Sequence, residues 1–187
     1  MSFSRKIMCL ASCIVLLSAS TNLSAQTKSD LKAVKSEVKD LKKDGWKATP
    51  GGLSIADQLA LARPIQVDQD KWIVGWGISG GSFYDAAKNN ALFEAKKQIA
   101  ASVIKMTGDE GKGIINEQGE IVSAGKYKDR GKGIYERIIN DPRTLVEIYR
   151  YLPDGNVEVS IRIAIPKEQA ITSYERVKKE LEEMMKQ

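Results

Sequence analysis

The chain has no histidine in 187 residues and only two cysteines, Cys9 and Cys13. Both cysteines fall within the first 25 residues, which read as a segment removed on export. The remainder carries neither thiol nor imidazole. It can form no disulfide, so its stability must come from a packed core. It has no histidine to serve as a general base, and no metal site is expected. Prolines number five and aromatic residues make up 6%. No apolar run after residue 25 is long enough to span a bilayer, and no block of charge of one sign occurs.

What is present begins with an address. Arg5 and Lys6 form a positive start, Ile7 to Leu17 an apolar core, and Leu23-Ser24-Ala25 a small-residue end before Gln26. That is the pattern of a cleaved secretory signal peptide, with cleavage expected near Ala25. A competing pattern, Leu10-Ala11-Ser12-Cys13, resembles a lipobox and would make a lipidated Cys13 the first mature residue. Its position weighs against it, since Cys13 sits inside the apolar core with Ile14-Val15-Leu16-Leu17 still to come. The signal holds two cations and no acid, so the mature chain of 162 residues has a net charge of +3. Its charges are interspersed, which fits a solvated mixed surface and not a nucleic-acid footprint.

Three segments are expected: residues 1–25 as signal, 26–64 as a helical segment, and 65–187 as an α+β domain with a C-terminal helix. In the second, Leu31, Val34, Val38 and Leu41 form one apolar stripe at helical spacing. Thr27-x-x-Asp30 can cap its start. Gly45 then predicts a left-handed helix end, with Trp46 folding back on Leu41. Ser54-x-x-Asp57 opens a short helix over 55–62 that should stop before Pro64.

A strand is expected over 71–79, with Trp72, Val74, Trp76 and Ile78 on one face and Ile73, Gly75, Gly77 and Ser79 on the other. A long alanine-rich helix should follow from Phe83 to Met106, capped by Ser82-x-x-Asp85. Residues 108–133 are glycine-rich and charged, with a hairpin predicted between Ile114-Ile115 and Ile121-Val122. Gly-Lys-Gly-Ile recurs at 111–114 and 131–134. After a helical turn over 134–139, Thr144 to Leu152 and Val157 to Ile165 read as strands joined at Pro153-Asp154-Gly155-Asn156. Pro166 introduces a last helix, striped by Ala170, Tyr174, Val177, Leu181 and Met184. Both terminal helices are expected to pack within the domain.

Gly75, Gly77 and Gly80 fit G-x-G-x-x-G, the turn that cradles a dinucleotide pyrophosphate. The context does not fit. No second parallel strand follows within about thirty residues, and no acid stands where a ribose would be held. A glycine row instead lets another backbone approach closely, and Ala86, Ala87, Ala91, Ala95, Ala100 and Ala101 offer a thin helix face to do so. Ser82 as a nucleophile would need a base that no spacing marks. No catalytic residue and no cofactor are expected.

Gly75-Trp76-Gly77, the helix leading through Ala87, Ala91 and Ala95 to Gln98-Ile99-Ala100, and Asp154-Gly155 followed by Ile165-Pro166-Lys167-Glu168 resemble a known family. It is the family of small, about twenty-kilodalton outer-membrane lipoproteins (LPP-twenty type) and related flagellar and envelope accessory proteins. The resemblance covers about residues 70–170. It implies a three-stranded antiparallel sheet packed on one long helix, βαββ and dodecin-like, here with amphipathic helices flanking both ends. It also implies an envelope location, periplasmic or outer-membrane-associated, and no catalytic residues. The chain departs from the family in lacking a well-placed lipobox.

The expected function is that of an exported, non-catalytic accessory protein that contacts an envelope protein or itself, with peripheral membrane association open and no nucleic acid. Trp72 and Trp76 are the candidate interface, against the plain alternative that both are core. A second functional reading is a periplasmic carrier of an anionic ligand, held by the glycine turn and by Lys112 and Lys132.

Overall fold

A computed structural model of the protein describes residues 28–109 and 131–185. The apolar stripe of the N-terminal segment forms helix α1, Lys28–Lys43. The helix ends as its sequence predicts. Gly45 has φ +84°, Trp46 N donates to the Leu41 carbonyl at 3.0 Å, and Gly45 N donates to the Lys42 carbonyl at 3.2 Å. This paired closure drives Trp46 back onto the domain, where it is buried. Of the stripe, Val34 is buried while Leu31 stays exposed.

The chain then adds a strand that the sequence reading does not contain, β1, Lys47–Ala48. Two residues are too few to show alternation. Helix α2, Ile55–Val67, starts where Ser54 Oγ accepts from Asp57 N at 3.1 Å. It does not stop before Pro64, which lies inside the helix. An interior proline costs ~3 kcal/mol in a lost hydrogen bond and a clash. Burial of Ile65 one residue later opposes that penalty.

Strand β2, Trp72–Gly81, leads into helix α3, Tyr84–Thr107. The expected capping role of Ser82 is not observed: Phe83 is the N-cap residue and no side chain caps the helix. The helix ends on Gly108 at φ +70°, with the glycine N–H on the Ile104 carbonyl. Helix α4, Gly131–Ile138, precedes strands β3, Arg143–Tyr151, and β4, Val157–Pro166, and helix α5 closes the chain over Lys167–Met185. The β3–β4 turn is tight, with Gly155 N on the Leu152 carbonyl at 3.0 Å and Leu152 N on the Asn156 carbonyl at 2.8 Å. The hairpin anticipated within 108–133 lies outside the described residues.

The architecture is α+β, with all four strands antiparallel in the order β1-β3-β4-β2. The sheet therefore has one strand more than the three expected. Helices pack on both of its faces. On one, Val157, Val159, Ile161, Ile163 and Ile165 meet Ala87, Ala91, Ala95 and Ile99 of α3, with α4 and α5 packed beside them. On the other, Val146, Ile148 and Ala164 meet Val34, Trp46, Ile55, Leu59 and Ile65 from α1 and α2. A register shift between Thr144 and Val146 lets Leu145 join that second cluster beside Val146. The amphipathic helices at the two ends of the chain thus pack within the domain, on opposite faces of the sheet.

Candidate functional site

Strand β2 positions every residue of the glycine motif. It pairs with β4 throughout, from Trp72 opposite Pro166 to Gly81 opposite Val157, which leaves its other side at the sheet edge. Gly75 and Gly77 face α3 so closely that a β-carbon would overlap the Ala95 and Ala91 carbonyl oxygens. Gly80 faces away from α3, where only the Val157 carbonyl stands within reach, at 3.9 Å. Carbonyl oxygens over the glycines have the wrong polarity for a phosphate, which is held by amide N–H groups. Gly75 and Gly77 form the packing seam of α3 on the sheet, and Gly80 lies outside it.

The opposite face of β2 carries Trp72, Val74, Trp76 and Ile78, and the structure separates the two tryptophans. Trp72 is partly buried against the cluster beneath α1 and α2, as is Val74. Trp76 is 47% exposed and Ile78 41%. Yet the Trp76 ring is fixed. Its Nε1–H donates to Ser160 Oγ at 3.0 Å, and the Arg162 guanidinium stands 5.8 Å from the ring centroid. Arg162 is itself paired with Glu37 of α1. On the edge side, Gln98 Oε1 of α3 accepts the Trp76 backbone N–H at 2.9 Å. An aromatic residue held by β4 and α3, with α1 bracing Arg162 behind it, has little side-chain freedom left to lose on binding.

Two polar clusters elsewhere tie elements together. Glu147 of β3 accepts from the Tyr84 hydroxyl and pairs with Lys88 Nζ at 2.7 Å, while its backbone N–H donates to Gln58 Oε1 of α2 at 2.7 Å. Burial first, and the Glu147 carboxylate second, push the Tyr84 hydroxyl well above its ordinary pKa. The Tyr84, Tyr149 and Tyr151 rings follow edge to face, 5.8 and 5.7 Å apart. At the far end of α3, Asp109 pairs with Lys178 of α5 at 2.7 Å. The lysine holds the carboxyl below its usual range and is itself raised. Burial and the nearby Asp109 charge keep the Tyr174 phenol protonated.

Both clusters join two or more elements, and beside the Asp109–Lys178 pair the buried Tyr174 hydroxyl has no hydrogen-bond partner among the described residues. An open cleft of about 540 Å³ lies between Asp70, Lys71 and the start of α5 at Lys167 and Glu168. Among the described residues no group of histidine, cysteine or carboxylate side chains is placed to hold a metal ion.

Of the four residues singled out from the sequence, Trp76 stands on an exposed surface and Trp72 at the rim of a core. Lys112 lies outside the described residues. Lys132 falls within α4, with its side chain outside the description. The sequence reading did not single out Ile78, Gln98 or Arg162 as site residues. Ile78 was recognisable as the next member of the tryptophan row. The reach of Gln98 across 22 residues to the Trp76 amide has no signature in spacing. Compared with protein-family models, with curated proteins and with solved structures, the chain has no match in any of the three.

Proposed function

We propose that the protein is an exported, non-catalytic accessory protein of the cell envelope that works through protein contacts made by the Trp76–Ile78 surface. The observation that carries this reading is a large aromatic side chain, nearly half exposed, whose ring and backbone are locked by Ser160, Arg162 and Gln98. Aromatic residues with restrained geometry suit binding hot spots. The export pattern over residues 1–25 supports an envelope location. The strand–helix–hairpin order of β2, α3, β3 and β4 supports the resemblance to small outer-membrane lipoproteins and to a dodecin-like βαββ unit. Among the described residues no helix is long and apolar enough to cross a membrane.

The deciding experiment is capture from solubilised envelope fractions with the mature chain as bait, run beside Trp76→Ala. The proposal expects a discrete partner held by the wild type and lost by the variant, with both proteins folded. Equal capture by the two, or no partner for either, overturns it. Mass spectrometry of the mature N-terminus should find it at Gln26; a diacylated peptide starting at Cys13 would place the protein on a lipid anchor instead.

A further inference from the structure

In an antiparallel ladder the N–H and C=O of one residue point the same way, and successive residues alternate. The Trp76 N–H goes to Gln98, away from β4. Val74 and Ile78, at the same parity, must therefore also turn their backbone groups outward. Neither has a hydrogen-bond partner for them among the described residues. The strand reads Trp-Ile-Val-Gly-Trp-Gly-Ile-Ser-Gly-Gly, with no charge and no proline, the usual devices that blunt a sheet edge. The Gln98 carboxamide sits where the carbonyl of a further strand would sit.

From this geometry we infer that the β2 edge receives an extended segment of a partner protein as a fifth strand, with Gln98 as the placeholder it displaces. This rests on the protein-contact reading and specifies its mode. The identity of the occupant follows from sterics. The α3 backbone lies directly on Gly75 and Gly77, so α3 runs over β2 itself. Neighbouring strands lie about 4.8 Å apart, whereas packed helices need about 8–10 Å. A second copy of this chain, pairing antiparallel edge to edge, would bring its own α3 onto the same face and drive it into the first. The occupant is a strand without a helix on that side. Its residues facing α3 must be small, and those facing outward apolar, so that they extend the row of Trp76 and Ile78.

The test uses the mature chain and a synthetic decapeptide that alternates valine and serine between terminal lysines. Binding is read by fluorescence anisotropy. Ile78→Pro removes one outward N–H and none that faces β4, so the ladder should survive. It is expected to bind the peptide about tenfold more weakly, which corresponds to ~1.4 kcal/mol. Gln98→Ala is expected to bind several-fold more tightly, a gain that a purely structural glutamine would not give. The same peptide N-methylated at alternate residues should not bind, a control that needs no variant to fold.

Equal binding by wild type and Ile78→Pro, or no binding even by Gln98→Ala, overturns the strand-addition proposal. So does a dimer of the free protein that Ile78→Pro dissolves, since the occupant is then a second copy. If the peptide fails while Trp76→Ala still loses the envelope partner, strand addition falls and the contact surface stands. If no partner is captured at all, the broader reading falls with it.

Discussion

The backbone carbonyl oxygen of Ala91 occupies the place where a β-carbon on Gly77 would be. Backbone meets backbone there, so nothing flexible can yield. Gly77→Val is expected to lower stability by ~3 kcal/mol or more, because α3 must lift off the sheet. Gly80→Ala on the same strand meets nothing nearer than 3.9 Å and should change stability by less than ~0.5 kcal/mol. Urea denaturation of the two variants measures the contrast, and similar midpoints would contradict the seam.

The two tryptophans should part company in the same assay. Trp72→Ala opens space beside Val74 and Ala164 and is expected to cost ~2–3 kcal/mol, somewhat below a fully buried aromatic. Trp76→Ala loses one hydrogen bond and one cation–π contact at a half-exposed position, about 1 kcal/mol. An unfolded Trp76→Ala would show that the ring serves the fold and not a partner.

Gly45 at φ +84° has open space where a β-carbon would go, so the penalty of Gly45→Ala is conformational alone. A loss of ~1 kcal/mol is expected, visible as a lower melting temperature. A variant melting like wild type would mean that the closure of α1 over Trp46 carries no weight.

Asp109 contributes through its depressed pKa. A carboxyl whose folded pKa lies below its unfolded value stabilises above the unfolded value and loses that contribution as pH falls through the folded one. The unfolded value is 3.8, so the loss falls below about pH 4. Lys178, raised by the same partner, keeps its share until pH rises above its ordinary 10.5. Asp109→Asn should be less stable than wild type near neutrality, and the gap should close as pH falls below about 4. A gap that stays constant with pH would sink the assignment.

The long elements were legible because each carries a period. The stripe of α1, the alternation of β2 and β4, and the small residues of α3 all lie where spacing puts them. The turn at Gly155 and the closure at Gly45 were legible from one residue each, since a positive φ favours glycine. The misses have one cause. The length of α2 past Pro64, the two residues of β1 and the uncapped Ser82 depend on what lies across the domain, and local preference is overridden by packing there. The site was half legible for the same reason. Trp76 and Ile78 belong to a row visible in sequence, whereas exposure of one tryptophan and partial burial of the other depend on where α1 and α2 settle over the sheet.

The sandwiching of the sheet between helices from the two ends of the chain bears on the order of events at birth. Glu37 of α1 is separated by 125 residues from Arg162, its partner on β4, and the cluster beneath α1 sets Leu145, Val146, Ile148 and Ala164 of β3 and β4 beside Ile55, Leu59, Ala62 and Ile65 of α2. Helix α1 can dock on α2 early, through the Asp30–Arg63 pair, but its seat on the sheet is completed only when the last hairpin has been delivered. Closing so long a loop is entropically slow. Until then the sheet-facing part of its apolar stripe stays open to water, and the outer layer of the domain is the last to close.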